Sequence, residues 1–382
     1  MTQPLRRKVA IYLPSLEGGG AERVTVTLAN AFAERGVAVD LVLPAATGPY
    51  RSHVSPAVNI VDLEASRVLA STPKLVSYLR RERPAAMLSV MNHANVVAVA
   101  ARALARVPTR VVVSEHNTLS TAAMNGRSWR DRAQPALMKF FYRVADGVVG
   151  VSNGVSDDLA RAIRLPRSRI TTVYNPIDAR QISLKSQGEV EHPWFAPGQP
   201  PVIVGIGRLT PQKNFSHLLA SFAQLRSIRG EGVRLMILGE GELRAELEQQ
   251  IEASGLKDCV SLPGFVSNPF AYLRSSALFV LSSAWEGLPT VLIEAMSCGA
   301  RVVSTDCPSG PAEILENGKW GRLVPMNDVN ALSEAMHFAL NDPAPPPVFE
   351  RALDFSVDAA VDGYLKILGF HAAQPLRKGS MK

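Results

Sequence analysis

Short runs of β-branched and aliphatic residues alternate with helical stretches along the chain, the pattern of parallel strands joined by crossover helices. In the first half, KVAIYL predicts a strand, SLEGGG a glycine-rich turn, and AERVTVTLANAFAERG a helix that closes at Gly36. VAVDLVL reads as the next strand, and AAMLSVM, RVVVSEH and GVVGVS as later ones. Those three end where polar residues begin, at Asn92-His93, Glu115-His116-Asn117 and Ser152-Asn153. Polar residues at the carboxyl ends of parallel strands are where ligands sit in such sheets. After the strand-like TTVYNPID, residues 179–200 turn polar and then rich in Pro and Gly, which predicts a linker. A second alternation follows: PVIVGIG, a helix near 214–228, VRLMILG, a helix near 242–254, CVSLPG, ALFVLSS, a helix near 289–298, RVVSTD and GRLVP. The pattern predicts an α/β chain of two doubly wound domains, residues 1–178 and 201–350, with a cleft between them. A helical stretch at 351–370, able to pack back on the first domain, and a flexible tail at 371–382 complete it.

Composition narrows the class. A length of 382 residues exceeds one ordinary core, and 47% hydrophobic with 20% charged residues marks a globular protein. No apolar run reaches the roughly eighteen residues of a spanning helix. The apolar stretch before Pro14 is too short for a signal-peptide core. Cys259, Cys298 and Cys307 show no CxxC spacing, so reduced thiols in a cytoplasmic protein are expected. The net charge of +7 is uneven: residues 1–185 carry 25 Lys and Arg against 13 Asp and Glu, the remainder 16 against 21. A basic first half implies an anionic partner. No nucleic-acid-binding motif accompanies the charge, which leaves an anionic membrane surface as the better candidate. The segment 127–143 (RSWRDRAQPALMKFFYR) and the cluster KLVSYLRRER at 74–83 would carry that contact, although Pro135 interrupts a long helix in the first.

Three motifs point to chemistry. Gly18-Gly19-Gly20 lies between the first strand and the first helix, where backbone N–H groups can meet a phosphate; a tight turn explains it equally well. GIGRLTPQKN puts Arg208 and Lys213 just beyond the first strand of the second domain, a forked and a point cation suited to a diphosphate. EGLPTVLIEAM places Glu286 in a loop before Pro289 and Glu294 about one and a half turns into the next helix. Two carboxylates so placed can accept hydrogen bonds from the vicinal hydroxyls of two sugars.

The GGG loop, EHN, VSNGVSDDL, YNPID, GIGRLTPQKN, LGEGELRAELE and the E-x7-E pair occur in order between about residues 9 and 340. Together they resemble retaining glycosyltransferase family 4, of GT-B fold: two Rossmann-like domains facing across a cleft. DCPSGPAEIL and YNPI resemble the branch that builds bacterial lipid-linked oligosaccharides and surface polysaccharides. The resemblance implies transfer of a hexose or N-acetylhexosamine from a nucleotide diphosphate sugar, UDP in many members, to a saccharide acceptor linked to a polyprenyl diphosphate. It implies that Arg208 and Lys213 neutralise the diphosphate, that Glu286 positions the transferred sugar and that Glu294 holds the ribose. Gly19 and Gly20 would face the phosphates and acceptor, and Phe265 would lie by the base. His116 would lie near the sugar, with His93 a weaker candidate. N–H groups at Thr290 and Val291 would add to leaving-group stabilisation, and a phosphate oxygen would take the acceptor's proton. No DxD triplet is present, so neither a metal nor a separate cofactor is expected. A cytoplasmic protein, peripheral on the inner membrane face and without nucleic-acid partners, is the corresponding expectation.

Other readings fit less well. A dehydrogenase requires a GxGxxG turn with a downstream acid, which neither half supplies. A nucleotide-sugar epimerase on the same scaffold and a non-catalytic nucleotide-sugar-binding protein remain alternatives, separable from a transferase by product analysis.

Overall fold

A computed structural model describes residues 8–17, 19–120, 129–230 and 232–370, with the backbone alone for 129–134. Gly18, residues 127–128 and the side chains of 129–134 in the basic segment, and the tail expected at 371–382 lie outside the described residues or side chains. The chain divides into two compact units: unit 1 comprises 1–151, 155–176 and 357–382, and unit 2 comprises 152–154 and 177–356.

Unit 1 holds a seven-stranded parallel sheet. Its strands are β1 (Lys8–Tyr12), β2 (Ala38–Leu43), β3 (Asn59–Asp62), β4 (Ala86–Val90), β5 (Arg110–Glu115), β6 (Gly147–Gly150) and β7 (Ile170–Thr172), in the order β3-β2-β1-β4-β5-β6-β7. The helices are α1 (Gly20–Glu34), α2 (Thr72–Glu82), α3 (Asn92–Ala105), α4 (Trp129–Phe141) and α5 (Asn153–Ile163), the last beginning at the boundary of the two units. Unbroken apolar strands are what a sheet covered on both faces requires. In β1, Val9 and Ile11 join one core layer with Leu28 and Phe32 of α1, while Ala10 and Tyr12 join the other with Leu75 and Tyr78 of α2. β3 is missing from the strands read in the sequence: NIVD is short, polar at both ends and at the sheet edge, so its apolar run is too brief to stand out.

Unit 2 repeats the plan with six parallel strands. These are β8 (Val202–Ile206), β9 (Arg234–Leu238), β10 (Val260–Gly264), β11 (Leu278–Leu281), β12 (Val302–Thr305) and β13 (Arg322–Val324), ordered β10-β9-β8-β11-β12-β13. Around them run α6 (Ala179–Lys185), α7 (Phe215–Arg229), α8 (Arg244–Ala253), α9 (Pro269–Ser275), α10 (Thr290–Ser297), α11 (Pro311–Ile314), α12 (Val329–Asn341) and α13 (Val348–Ala352).

Two expectations change. The stretch 179–200 is not simply a linker: it opens with α6, capped by the Asp178 carboxylate accepting from Gln181 N at 2.9 Å, with Ile182 buried in unit 2. Polar sequence hid it because seven residues that bury only Ala179 and Ile182 show little periodicity. The helix expected over 351–370 is two: α13, then α14 (Val357–Ile367) after an extended Ser356. α14 belongs to unit 1, where Arg35 of α1 pairs with Asp358 at 2.6 Å and also with Asp362, and Tyr364 packs in the core.

The loops after β8 and β9 are joined through backbone. Gly207 N donates to Leu238 O at 3.0 Å, and Leu209 N to Glu240 O at 2.9 Å. Gly239 has φ +140°, and a Cβ there would run into the carbonyl oxygen of Gly207. Gly239→Ala should therefore cost about 3 kcal/mol or more, from strain and backbone collision together. Gly255→Ala, at φ +64° with open space around it, should cost only about 1 kcal/mol. Urea unfolding of both variants checks the difference.

Candidate functional site

Unit 2 gathers its charged candidates where β8 and β11 end. Lys213 follows the β8 loop, and its Nζ lies 2.6 Å from Glu286 Oε1. The same oxygen accepts from Ser283 Oγ at 2.7 Å, and Gln212 Nε2 approaches Glu286 Oε2 at 3.4 Å. Backbone fixes both partners: Ser282 Oγ donates to Lys213 O, Ala284 N to Gln212 O, and Glu286 N to Pro308 O, each at 2.8 Å. Both side chains are largely buried, so the pair is desolvated and its remaining lone pairs need these donors.

The other candidates of unit 2 sit on the loops after β8 and β10 and on α10. Arg208 stands exposed one residue past Gly207, with no side-chain hydrogen bond or ion pair to a described residue. Glu294 is 4% exposed, on α10 among Leu292, Ile293 and Ala295. Thr290 and Val291 form the half-exposed first turn of α10, the end at which a helix presents positive potential. Phe265 is 82% exposed just past β10, the edge strand, two strands away from β8. Gln212, Ser282 and Ser283 were missed in the sequence. Their adjacency to Lys213 and Glu286 was the available signal, but polar residues in loops are too common for it to single them out.

In unit 1, Gly19 is the N-cap of α1 and Gly20 its first residue. Glu22 folds back beneath Gly19, so a Cβ at Gly19 would meet its Oε2; that oxygen is buried without a hydrogen-bond partner. The C-terminal end of β5 carries His116, separated from β1 by β4. His93 is exposed at the start of α3, its Nδ1 3.1 Å from Asn92 Oδ1, and has no contact with His116.

Strand alternation sends Ser114 and His116 to one face and Glu115 to the other. On the first, Ser114 Oγ meets His116 Nε2 at 3.3 Å and Tyr364 OH at 2.9 Å, while His116 Nδ1 is buried without a partner. On the second, Glu115 Oε1 accepts from Asn95 Nδ2 at 2.9 Å and from the Tyr142 hydroxyl. Burial pushes the Glu115 carboxyl up to about 7, against the two hydrogen bonds. Burial with no neighbouring anion pushes His116 down to about 4, so the ring is neutral at neutral pH. Asn95, Glu115 and Tyr142 lie far apart in sequence, and only the sheet brings them together. Among the described residues no cluster of His, Cys, Asp and Glu could hold a metal ion.

Two family models match the chain: "Glycosyltransferase Family 4" over residues 18–181 and "Glycosyl transferases group 1" over 187–355. The chain belongs to glycosyltransferase family 4, and is a transferase of GT-B type. It is 28% identical over 347 residues, 88% of this chain and 91% of the relative, to N-acetylgalactosamine-N,N'-diacetylbacillosaminyl-diphospho-undecaprenol 4-alpha-N-acetylgalactosaminyltransferase of Campylobacter jejuni. A second enzyme of that organism, GalNAc-alpha-(1->4)-GalNAc-alpha-(1->3)-diNAcBac-PP-undecaprenol alpha-1,4-N-acetyl-D-galactosaminyltransferase, is 27% identical over 379 residues, 94% of this chain and 98% of the relative. Among solved structures, Anabaena Alr3699/HepE in complex with UDP superposes with a TM-score of 0.79 at 21% identity, covering 95% of this chain and 99% of that one. The fold and the relatedness to bacterial polysaccharide and lipid-linked glycan transferases follow.

The two buried titratable groups of β5 give opposite pH dependences. Folding holds a proton on Glu115 that the unfolded chain, near 4.5, has lost; this stability is full below 4.5 and is lost as pH rises through 7. Folding keeps His116 neutral where the unfolded chain, near 6.5, is protonated; this stability is full above 6.5 and is lost as pH falls through 4. Relative to the native protein, Glu115→Gln should gain about 3 kcal/mol as pH rises across the first window. His116→Gln should gain a similar amount as pH falls across the second, about 3 kcal/mol. Urea unfolding at a series of pH values measures both; variant-minus-native differences that stay flat with pH would contradict the burial.

Proposed function

We propose that the chain is a retaining, metal-independent glycosyltransferase that takes a hexose or N-acetylhexosamine from a UDP-sugar. The acceptor is a saccharide carried on a polyprenyl diphosphate, met at the inner face of the cytoplasmic membrane. The observation that carries this reading is the buried Lys213–Glu286 pair beside the exposed Arg208. The activities named for the Campylobacter relatives, both transferring N-acetylgalactosamine to undecaprenol-linked saccharides, support the acceptor class. The UDP held by HepE supports the base.

In this reading Arg208 and Lys213 receive the charge that builds on the β-phosphate as the glycosidic bond to the donor breaks. The α10 N-terminus at Thr290 and Val291 adds its positive potential to the same charge. Glu286, oriented by Lys213 and Ser283, accepts hydrogen bonds from hydroxyls of the transferred sugar. Glu294 does so for the ribose, and Phe265 stacks on the base. A phosphate oxygen removes the acceptor hydroxyl's proton on the face the nucleotide leaves, so the anomeric configuration is kept and no enzyme carboxylate is required as nucleophile. In unit 1, Gly19 and Gly20 offer backbone to the phosphates or acceptor. His116, held neutral, acts as a hydrogen-bonding group rather than a cation.

Arg208 has no described partner to lose, so Arg208→Ala should leave the stability of the free protein within about 0.5 kcal/mol. It should weaken UDP binding about ten- to a hundredfold, the value of a charge-assisted hydrogen bond. Glu294→Gln should weaken UDP and spare inorganic diphosphate. Calorimetry with UDP, GDP, ADP and diphosphate checks this, and selective GDP or ADP binding would replace the donor. With UDP-N-acetylhexosamines and a polyprenyl-diphosphate-linked acceptor, turnover should persist in EDTA, with an α-linked product by NMR. Isomerised donor without product would favour an epimerase.

A further inference from the structure

Three buried polar atoms of unit 1 stand without a hydrogen-bond partner among the described residues where its central strands end. Glu22 Oε2 lies in the first turn of α1, which follows β1, and His116 Nδ1 and Thr118 Oγ1 lie in the loop after β5. Glu22 is 7% exposed, His116 9% and Thr118 3%. Only β4 separates β1 from β5, so the two strand exits are about 10 Å apart. A buried polar atom left unpaired costs stability, and several at one end of a sheet call for a ligand that pairs with them.

Glu22 says which ligand. Its Oε1 accepts from Ser15 Oγ at 3.3 Å, while Oε2 lies beneath Gly19, where a Cβ on that residue would collide with it. Gly19 is half-exposed, and Gly20 is exposed with open space where a Cβ would stand, so a ligand meets no side chain on its way to the carboxylate. A helix N-terminus ordinarily draws phosphate through its free N–H groups and positive potential. Here a buried carboxylate already occupies that potential, and its repulsion of a second anion is strong in low-dielectric surroundings. A carboxylate accepts hydrogen bonds and donates none, so the fitting ligand brings hydroxyl or amide donors. The imidazole and hydroxyl at the β5 exit can each donate or accept, which suits the mixed groups of a sugar ring.

We infer that Glu22 is a specificity-determining residue: it bars phosphate from the glycine loop and accepts a hydrogen bond from the acceptor saccharide there. Gly19 and Gly20 then serve the acceptor, and the donor diphosphate is left to Arg208 and Lys213. A glutamate that only braced the start of α1 would put its oxygen on a backbone N–H, as in a capping box, and Oε2 makes no such bond. The inference rests on the reading that unit 1 receives a saccharide acceptor.

Glu22→Gln keeps the shape of the side chain and removes its charge. With a UDP-N-acetylhexosamine at saturation and a polyprenyl-diphosphate-linked saccharide as acceptor, it should raise the acceptor KM about tenfold or more, the worth of a hydrogen bond to a charged group. Gly19→Ala, whose methyl displaces the carboxylate, should do the same. Calorimetry should find the Kd of UDP unchanged in both variants. On UDP-saturated protein, inorganic diphosphate should bind the Glu22→Gln variant about fivefold more tightly than the native chain, since a negative charge has left the helix N-terminus. An unchanged acceptor KM in Glu22→Gln would overturn the inference. So would a UDP affinity that rises with the substitution, which would put the nucleotide's phosphates at the loop. Lower stability in urea with acceptor KM and diphosphate affinity unchanged would make Glu22 a brace for α1 and also overturn it. If the native chain binds UDP but transfers no sugar to this acceptor, the acceptor reading fails and the diphosphate comparison decides alone. Tighter binding by the variant then upholds the bar on phosphate, and equal affinity overturns it.

Discussion

The Lys213–Glu286 ion pair sets the arrangement of unit 2's candidate site. Taking an ammonium and a carboxylate out of water costs several kcal/mol per ion, and their attraction offsets this only when the remaining lone pairs are also satisfied. Ser283 and Gln212 supply those contacts, and Ser282 and Ala284 hold the Lys213 loop against the loop after β11. The pair thus joins the exits of two adjacent strands, β8 and β11. The β11 exit leads through Leu288 and Pro289 directly into α10, so the position of Glu294 follows from the same joint. The uncommitted guanidinium of Arg208, on the same loop as Lys213, is the group free to form a charge-assisted hydrogen bond to the proposed diphosphate.

Unit 1 solves a different problem at the corresponding end of β5. Three successive residues place a hydroxyl, a carboxyl and an imidazole on alternating faces, and each is buried. No cation neutralises Glu115 among the described residues, so it keeps its proton to higher pH; no anion supports His116, so it loses its proton at lower pH. Glu115, held near 7, can exchange a proton at neutral pH, whereas His116 is already neutral there and is suited to hydrogen bonding. Tyr364 reaches this strand end from the last described helix, which ties the C-terminal segment to the candidate acceptor half.

Most of the fold was legible because parallel strands covered on both faces leave continuous apolar runs. KVAIYL, RVVVSEH and ALFVLSS announce themselves in that way. NIVD, at an edge, does not, and α6 hides in polar sequence because only Ala179 and Ile182 of its seven residues are buried. The candidate donor residues were legible because Arg208, Lys213, Glu286 and Glu294 sit at fixed distances from apolar strands and a proline-started helix. Gln212 and Ser282 were not, since their role lies in contacts across loops more than sixty residues apart, and Ser283, three residues from Glu286, is an ordinary polar loop residue until the fold turns it onto that carboxylate. The Asn95–Glu115–Tyr142 network was invisible for the same reason: β5, α3 and the end of α4 meet only in space. The basic charge of the first half was plain in composition.

The most direct test of the central claim is a crystal structure of the chain with UDP. The diphosphate should lie within hydrogen-bonding distance of both Arg208 and Lys213, with the ribose hydroxyls on Glu294 and Glu286 still oriented by Ser283. UDP bound elsewhere on the chain, with Lys213 engaged by Glu286 alone and Arg208 free in solvent, would contradict it.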